Sequence, residues 1–386
     1  MRFDGVKVLL LDAYARQTLP IARGFKKIGC IVTVVCFSKL DVGYSSNVPD
    51  YRILLKCKKD DYNSQYLFVK KLIETGEYDI VVPMNDYSAI YLANNKDYLK
   101  QFAQIAVNDK KIFELAINKV NTMRVCKENG IPSPITIFSN NISEILSSKE
   151  LIFPVVVKPE TACGSIGFNI VDNKMKLEEL LTNSVFSGHL FVQEYIPQDG
   201  VQYGVEAFRN NDGSYAFILV DEKPRWYPLD GGSPTINITT HNDTMTNMAK
   251  RLLDSLNWVG YANIDFVVDC RNQQPKVIEI NARISAAVSI DEAVGYNVSE
   301  LICRNVFNKE SLIYSDYIDN IKVSCILTEL LWFVKSKNRF KNKPTMFNRK
   351  KTKDVIFRWK DPKPFFTFSL QSIKNYKHAM KLRKRG

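Results

Sequence analysis

Four polar side chains in the second half of this chain alternate with apolar ones in a pattern suited to a metal ion. The run NIDFVVD sets Asp265 between Ile264 and Phe266, and KVIEINARI sets Glu279, Asn281 and Arg283 at every second position among Ile278, Ile280, Ala282 and Ile284. Side chains two apart on a strand point to one face. The segment DCRNQQP (269–275) reads as a turn, so an antiparallel hairpin would bring Asp265 beside Glu279 and Asn281. Two carboxylates and an amide oxygen on one face repel unless a cation lies among them. Hard oxygen ligands of this kind suit Mg²⁺, with phosphate oxygens completing its shell. Arg283, on the same face, offers a planar fork for a phosphate or a developing oxyanion.

Cations and small residues upstream supply the phosphate side. FPVVVKP is an apolar strand ending at Lys158, and the next segment, TACGSIG, carries Gly164, Ser165 and Gly167. Backbone N–H groups in such a loop approach a phosphate closely, and a neighbouring Lys acts as a point charge. The loop lacks the GKS/T ending of a P-loop and is a different device. A third run, FVQEYI, contains Gln193, Glu194 and Ile196. By itself it reads as a half-buried strand. As a link between two lobes, its edge backbone at Glu194 and Ile196 is expected to pair with adenine.

In this order the motifs resemble the ATP-grasp superfamily, in the branch of the carbamoyl-phosphate synthetase large chain and related carboxylate–amine ligases, over roughly residues 1–310. The resemblance implies that Lys119, in INKVNTMRV, and Lys158 contact phosphates. It also implies that Gln193, Glu194 and Ile196 hold adenine and that Asp265, Glu279 and Asn281 hold magnesium. Arg283 corresponds to the Arg of the family's NxR motif, and either Lys223 or Arg225 to the residue facing the γ-phosphate. The family's acid for the ribose, in a pattern like EYxVD, is replaced by QYGVE, leaving Gln202 or Glu206 for that contact. The implied cofactors are ATP with two Mg²⁺ ions, for which Mn²⁺ can substitute. The implied reaction converts a small carboxylate to an acylphosphate, which an amine then attacks. The alternatives are carboxylation or carbamoyl phosphate chemistry, and a non-catalytic nucleotide-binding scaffold. A homodimer is compatible with the resemblance.

Three expected domains position these residues. Apolar runs at 6–11, 31–36 and 78–84 alternate with helical segments across residues 1–110, giving an α/β fold that opens with a parallel sheet, without the GxGxxG of a dinucleotide fold. Residues 111–312 read as a two-lobed α+β ATP-grasp domain, and 313–386 as a basic, aromatic extension. Residues 321–386 hold 19 Lys and Arg against three acids, a net +16, so the first 320 residues sum to −4 within the chain's +12. For residues 335–386 an anionic membrane surface is favoured over nucleic acid as a partner. Eight cysteines without a CxxC pair argue against a zinc site or a secreted disulfide framework. The first residues lack the pattern of a signal peptide, and the expected place is the cytoplasm, peripheral at the inner face of the membrane.

Overall fold

The computed structural model describes residues 1–58, 61–160, 168–183, 190–198, 200–229 and 232–372. The first five strands, β1 (Lys7–Leu10), β2 (Ile31–Cys36), β3 (Tyr51–Leu54), β4 (Ile80–Val82) and β5 (Gln104–Ile105), form a parallel sheet in the order β3-β2-β1-β4-β5. Their unbroken apolar character follows from cover on both faces. Val8, Leu10, Val32 and Val34 meet the helix Thr18–Lys27 through Leu19, Ile21 and Phe25. Leu9, Leu11, Val35 and Val81 meet the helices Tyr62–Glu74 and Asp86–Leu99 through Val69, Ile73, Leu92 and Leu99. This is the open parallel α/β domain that the sequence leads one to expect.

A small antiparallel sheet follows, in the order β6-β9-β7-β8, from β6 (Thr136–Ile137), β7 (Val155–Pro159), β8 (Asn169–Val171) and β9 (Leu190–Glu194). It closes its own core with Ile137, Val155, Val157, Val192 and the helix residues Ile145 and Leu177.

The largest sheet has seven strands, taking β10 (Gln202–Arg209) and β11 (Tyr215–Lys223). A two-stranded ribbon, β12 (Trp226–Tyr227) and β13 (Ser233–Pro234), stands beside it. The remaining strands are β14 (Ile236–Thr240), β15 (Gly260–Asp269), β16 (Gln274–Asn281), β17 (Lys322–Ser324) and β18 (Thr352–Asp354), and the order is β16-β15-β10-β11-β14-β17-β18. Val205, Ala207, Val220, Ala262, Ile264, Phe266 and Ile280 bury one face against the helix Asp243–Ser255. The alternate residues, Glu206, Asp221, Asn263, Asp265, Glu279 and Asn281, therefore line the other face.

The parallel domain and the large sheet share one core. Phe208, Phe217, Ile284, Val288, Val298 and Leu301 pack in the cluster that holds Val8 and Phe25. Gly295, at φ +102°, ends the helix Val288–Val294 and lets the chain turn into Val298–Val306. The basic extension enters the same fold: β17 pairs with β14, and β18 pairs parallel with β17. The composition break near residue 313 thus marks a change of surface chemistry and not the edge of the sheet.

Candidate active site

The β15–β16 hairpin brings together the three residues expected to hold a metal. Asp265 lies directly opposite Glu279, and Asn263 opposite Asn281. The register shifts after Asp265, so that Phe266 faces Val277 and Ile278 is the extra residue. A bulge of this kind re-aims side chains at the end of a regular ladder. The Asn281 amide donates to Asp265 Oδ2 at 3.0 Å and to Asn263 Oδ1 at 2.7 Å. Like charges directly opposite one another destabilise a sheet, and here lysines answer both. Lys119 Nζ is 2.8 Å from Glu279 Oε2, and Lys223 Nζ is 2.5 Å from Asp265 Oδ1. Two ammonium groups thus sit against the two carboxylates, where a cation belongs. Among the described residues no three His, Cys, Asp or Glu side chains converge as a complete metal cage. Two carboxylates and an amide are hard oxygen ligands of the kind Mg²⁺ takes while it keeps sites for phosphate oxygens and water.

The two lysines expected to contact phosphates, Lys119 and Lys158, are fixed by their elements. Lys119 opens the helix Lys119–Glu128, capped by the Asn118 side chain on the Asn121 N–H. A cation there opposes the helix dipole, which favours an anion in front of it. Glu160, just beyond β7, holds this end: its carbonyl accepts from the Lys119 N–H at 3.0 Å and its carboxylate from the Asn118 amide at 2.9 Å. Lys158, near the end of β7, is buried with its ammonium 5.3 Å from the centre of the Phe191 ring. Burial lowers its pKa to about 8, against the pull of Glu279 and with the repulsion of Lys119. Burial alone would raise the Glu279 carboxyl, but Lys119, Lys158 and Arg283 hold it below its ordinary value.

Lys223 reaches the face through a gap. Gly204 on β10 lies between Asp221 and Asp265, and a Cβ on it would stand 2.5 Å from both Asp221 Oδ1 and Lys223 Nζ. A side chain at this position would therefore expel the ammonium. Burial alone would lower Lys223, but Asp265, Asp221 and Glu206 keep it raised. Arg225, the other candidate, faces elsewhere. Its guanidinium bonds Glu329 through Nε at 2.9 Å and Nη2 at 2.5 Å, and it stacks on Trp332.

Other expected residues fall differently. The strand carrying FVQEYI is central, between β6 and β7, and not an edge. The Glu194 N–H donates to the Ile135 carbonyl at 2.8 Å, so this N–H is not open for the expected pairing with adenine. The Glu194 side chain is bound by Arg271 and by Lys276, the latter at 3.0 Å. Gln193 is buried and donates to Thr136 Oγ1 at 2.8 Å, which makes it a tie within the small sheet. Gln202 is half-buried at the start of β10, in register with Lys223. Glu206 is removed from the ribose role: it is buried and accepts from Tyr261, Asn263 and Ser285. Arg283 is close enough to influence Glu279, yet its Nε pairs with Asp86 at 2.9 Å, a link to the parallel domain. Gly164, Ser165 and Gly167 lie outside the described residues.

The strand pattern also holds residues that went unremarked. Asp221 shares the parity of Lys223, as Glu206 does of Gly204, so both belong to the same polar face. Burial raises Glu206 to about 8, with Asp221 adding to it, and raises Asp221 to about 6. Asp291, in the helix Val288–Val294, is fully buried, and neither carboxylate oxygen has a hydrogen-bond partner among the described residues. Its burial is tertiary and has no local signal.

Residues 116–287 match the model of the ATP-grasp domain. The chain is 24% identical over 253 residues to a D-aspartate ligase of Enterococcus faecium, covering 60% of this chain and 59% of that one. It is 23% identical over 220 residues to the carbamoyl phosphate synthase large chain of Pseudothermotoga lettingae, covering 55% of this chain and 20% of that one. The chain thus spans less than two thirds of either relative. Its fold is shared with the biotin carboxylase domain of the Hydrogenobacter thermophilus 2-oxoglutarate carboxylase, solved with Mg-ADP, ADP and bicarbonate. That likeness has a TM-score of 0.67 at 14% identity and covers 83% of this chain and 74% of that one.

Proposed function

We propose that this chain is an ADP-forming carboxylate–amine ligase. The observation that carries the reading is the cross-strand pair Asp265–Glu279, met by Lys119 and Lys223 with Lys158 close by. These groups form a cation-seeking pair of carboxylates within a set of ammonium groups, the arrangement that phosphoryl transfer from Mg-ATP needs. The likeness to a D-aspartate ligase supports an amide product, and the fold shared with a domain solved with Mg-ADP supports the nucleotide.

In this reading Asp265, Glu279 and Asn281 hold Mg²⁺, two ions in all, and Mn²⁺ serves in its place. The ions, when bound, supply charge neutralisation at the β- and γ-phosphates. Lys119 leaves Glu279 for the phosphates as ATP enters, and Lys158 regains its full charge there. Lys223 stays against Asp265 and faces the γ-phosphate, while Arg283 stabilises the oxyanion formed when the amine attacks. Ile196 and the backbone near it take adenine, and Gln202 the ribose. Positioning and electrostatics carry the reaction, and no nucleophilic side chain is required. The acceptor is assigned to a cell-surface polysaccharide precursor, a reading supported by the cationic, aromatic extension.

The test is a panel of amino acids and sugar acids supplied with Mg-ATP and hydroxylamine. ADP with a hydroxamate is the expected product pair. AMP and pyrophosphate would refute the acylphosphate route.

A further inference from the structure

The helix Ile326–Lys335 is apolar on two faces, and among the described residues only one of them is buried. Its inner face buries Glu329 and Trp332 against Arg225. On the outer face Ile326, Leu330 and Val334 follow one another at four-residue steps, with Leu330 48% and Val334 59% exposed. The stripe continues into an aromatic group. Phe333 meets Phe340 at 5.4 Å and Phe347 at 5.5 Å, both edge-on, and these two outer rings are 70% and 71% exposed. Single exposed apolar residues are ordinary, but a contiguous group marks an interaction surface.

The charge around this patch has one sign. Residues 330–353 contain nine Lys and Arg and no acid. Lys335, Lys337, Lys341, Lys343, Arg349 and Lys350 lie at the surface around it. The three acids between 321 and 372 all point inward. Glu329 is bound by Arg225, Asp354 accepts from the N–H groups of Ile326, Ile356 and Phe357, and Asp361 accepts from Ser46 and Asn47. A solvated basic face would carry neither the aliphatic stripe nor the exposed rings. Nucleic acid would use the cations and rings but leaves Ile326, Leu330 and Val334 without a partner. A bilayer rich in anionic lipid uses all three: headgroups for the lysines, the interface for the rings and the acyl boundary for the aliphatic stripe. Among the described residues no helix is long and apolar enough to cross a membrane, so the contact is with its surface.

We propose that the outer face of the helix Ile326–Lys335, with Phe340, Phe347 and the surrounding lysines, docks the protein on an anionic phospholipid surface. The proposal does not rest on the ligase reading, and its readout is lipid binding.

The experiment is flotation of the full chain with phosphatidylglycerol/phosphatidylcholine vesicles and with pure phosphatidylcholine vesicles, over a salt series. The protein should float with the anionic vesicles only, and rising salt should release it. Lys337→Gln/Lys341→Gln should weaken partitioning by roughly 30-fold, from the loss of attraction at two cations. Leu330→Ser/Val334→Ser and Phe340→Ser/Phe347→Ser should each weaken it by about tenfold or more, because each removes apolar contact with the interface. All three double variants alter exposed side chains and should keep the wild-type melting temperature and ATP turnover. Equal binding to neutral vesicles would overturn the proposal. So would unchanged flotation of the serine variants, no flotation at low salt, or a single-stranded oligonucleotide that displaces the protein from anionic vesicles.

Discussion

Lys223 and Arg225 are two residues apart, both buried, and each lies against a carboxylate, yet they belong to different parts of the molecule. Arg225 is engaged: Glu329 takes Nε and Nη2, and Asn342 and the Pro344 carbonyl take Nη1 at 3.0 and 2.5 Å. Trp332 covers its face. Four of the five Arg225 N–H donors are taken within the protein, and the pair fastens the extension to the ribbon strand β12. Lys223 stands among three acids, Asp265, Asp221 and Glu206, with an excess of negative charge around it. A closed pair serves structure, whereas an unbalanced face is prepared for a cation and a phosphate.

The sharpest way to break this contrast is to remove one partner of the closed pair. Arg225→Met leaves Glu329 buried and unpaired and should cost about 3–5 kcal/mol of stability, while the apolar double variant Arg225→Met/Glu329→Met should recover most of it. Chemical denaturation measures both. A stable Arg225→Met protein with impaired ATP binding would reverse the two roles.

The unbalanced face should titrate near neutrality. Burial raises the Glu206 carboxyl to about 8 and that of Asp221 to about 6. Each is above its unfolded value, so the stability it contributes is full below the ordinary carboxylate range and is lost as pH rises through the raised pKa. Stability should fall by roughly 4–5 kcal/mol between pH 5 and 7.5, since each tenfold difference in proton affinity between folded and unfolded chains is about 1.4 kcal/mol. Glu206→Gln should flatten the upper part of that fall, as melting curves across this range would show. The same slope in wild type and variant would contradict the assignment.

Within the face, Glu279→Gln should leave the fold intact and cut ATP turnover at least ~100-fold through loss of a charged metal ligand. Near-normal turnover in the folded variant would exclude the metal role. A smaller effect is expected at Lys158, where Lys158→Met should weaken ATP binding by roughly 30-fold, the scale of one charge-assisted phosphate contact. Because burial holds Lys158 at about 8, ATP binding near pH 8 should take up a proton. Calorimetry in buffers of different ionisation enthalpy would detect it, and Lys158→Met should abolish the uptake.

What the sequence made legible follows the range of the interactions. Asp265, Glu279 and Asn281 were readable because strand alternation and one turn set their geometry within 17 residues. Lys158 was readable as a charge ending an apolar strand. The choice between Lys223 and Arg225 was not, since Glu329 lies 104 residues from Arg225. The central place of β9 was hidden because its neighbour β6 has two residues and no pattern of its own. In the same way β17 and β18, three residues each, are masked by the lysines around them, so the extension read as a tail. Asp291 was invisible because only the packing of distant elements buries it.

The central claim is that the carboxylate substrate attacks the γ-phosphorus of ATP in front of Asp265 and Glu279. Once a turned-over acid is known, the decisive measurement is the fate of oxygen-18 placed in its carboxylate. The carboxylate oxygen that bonds to phosphorus leaves with it when the amine attacks, so labelled inorganic phosphate and unlabelled ADP are the predicted products. Label in AMP, or phosphate free of label, would contradict the account.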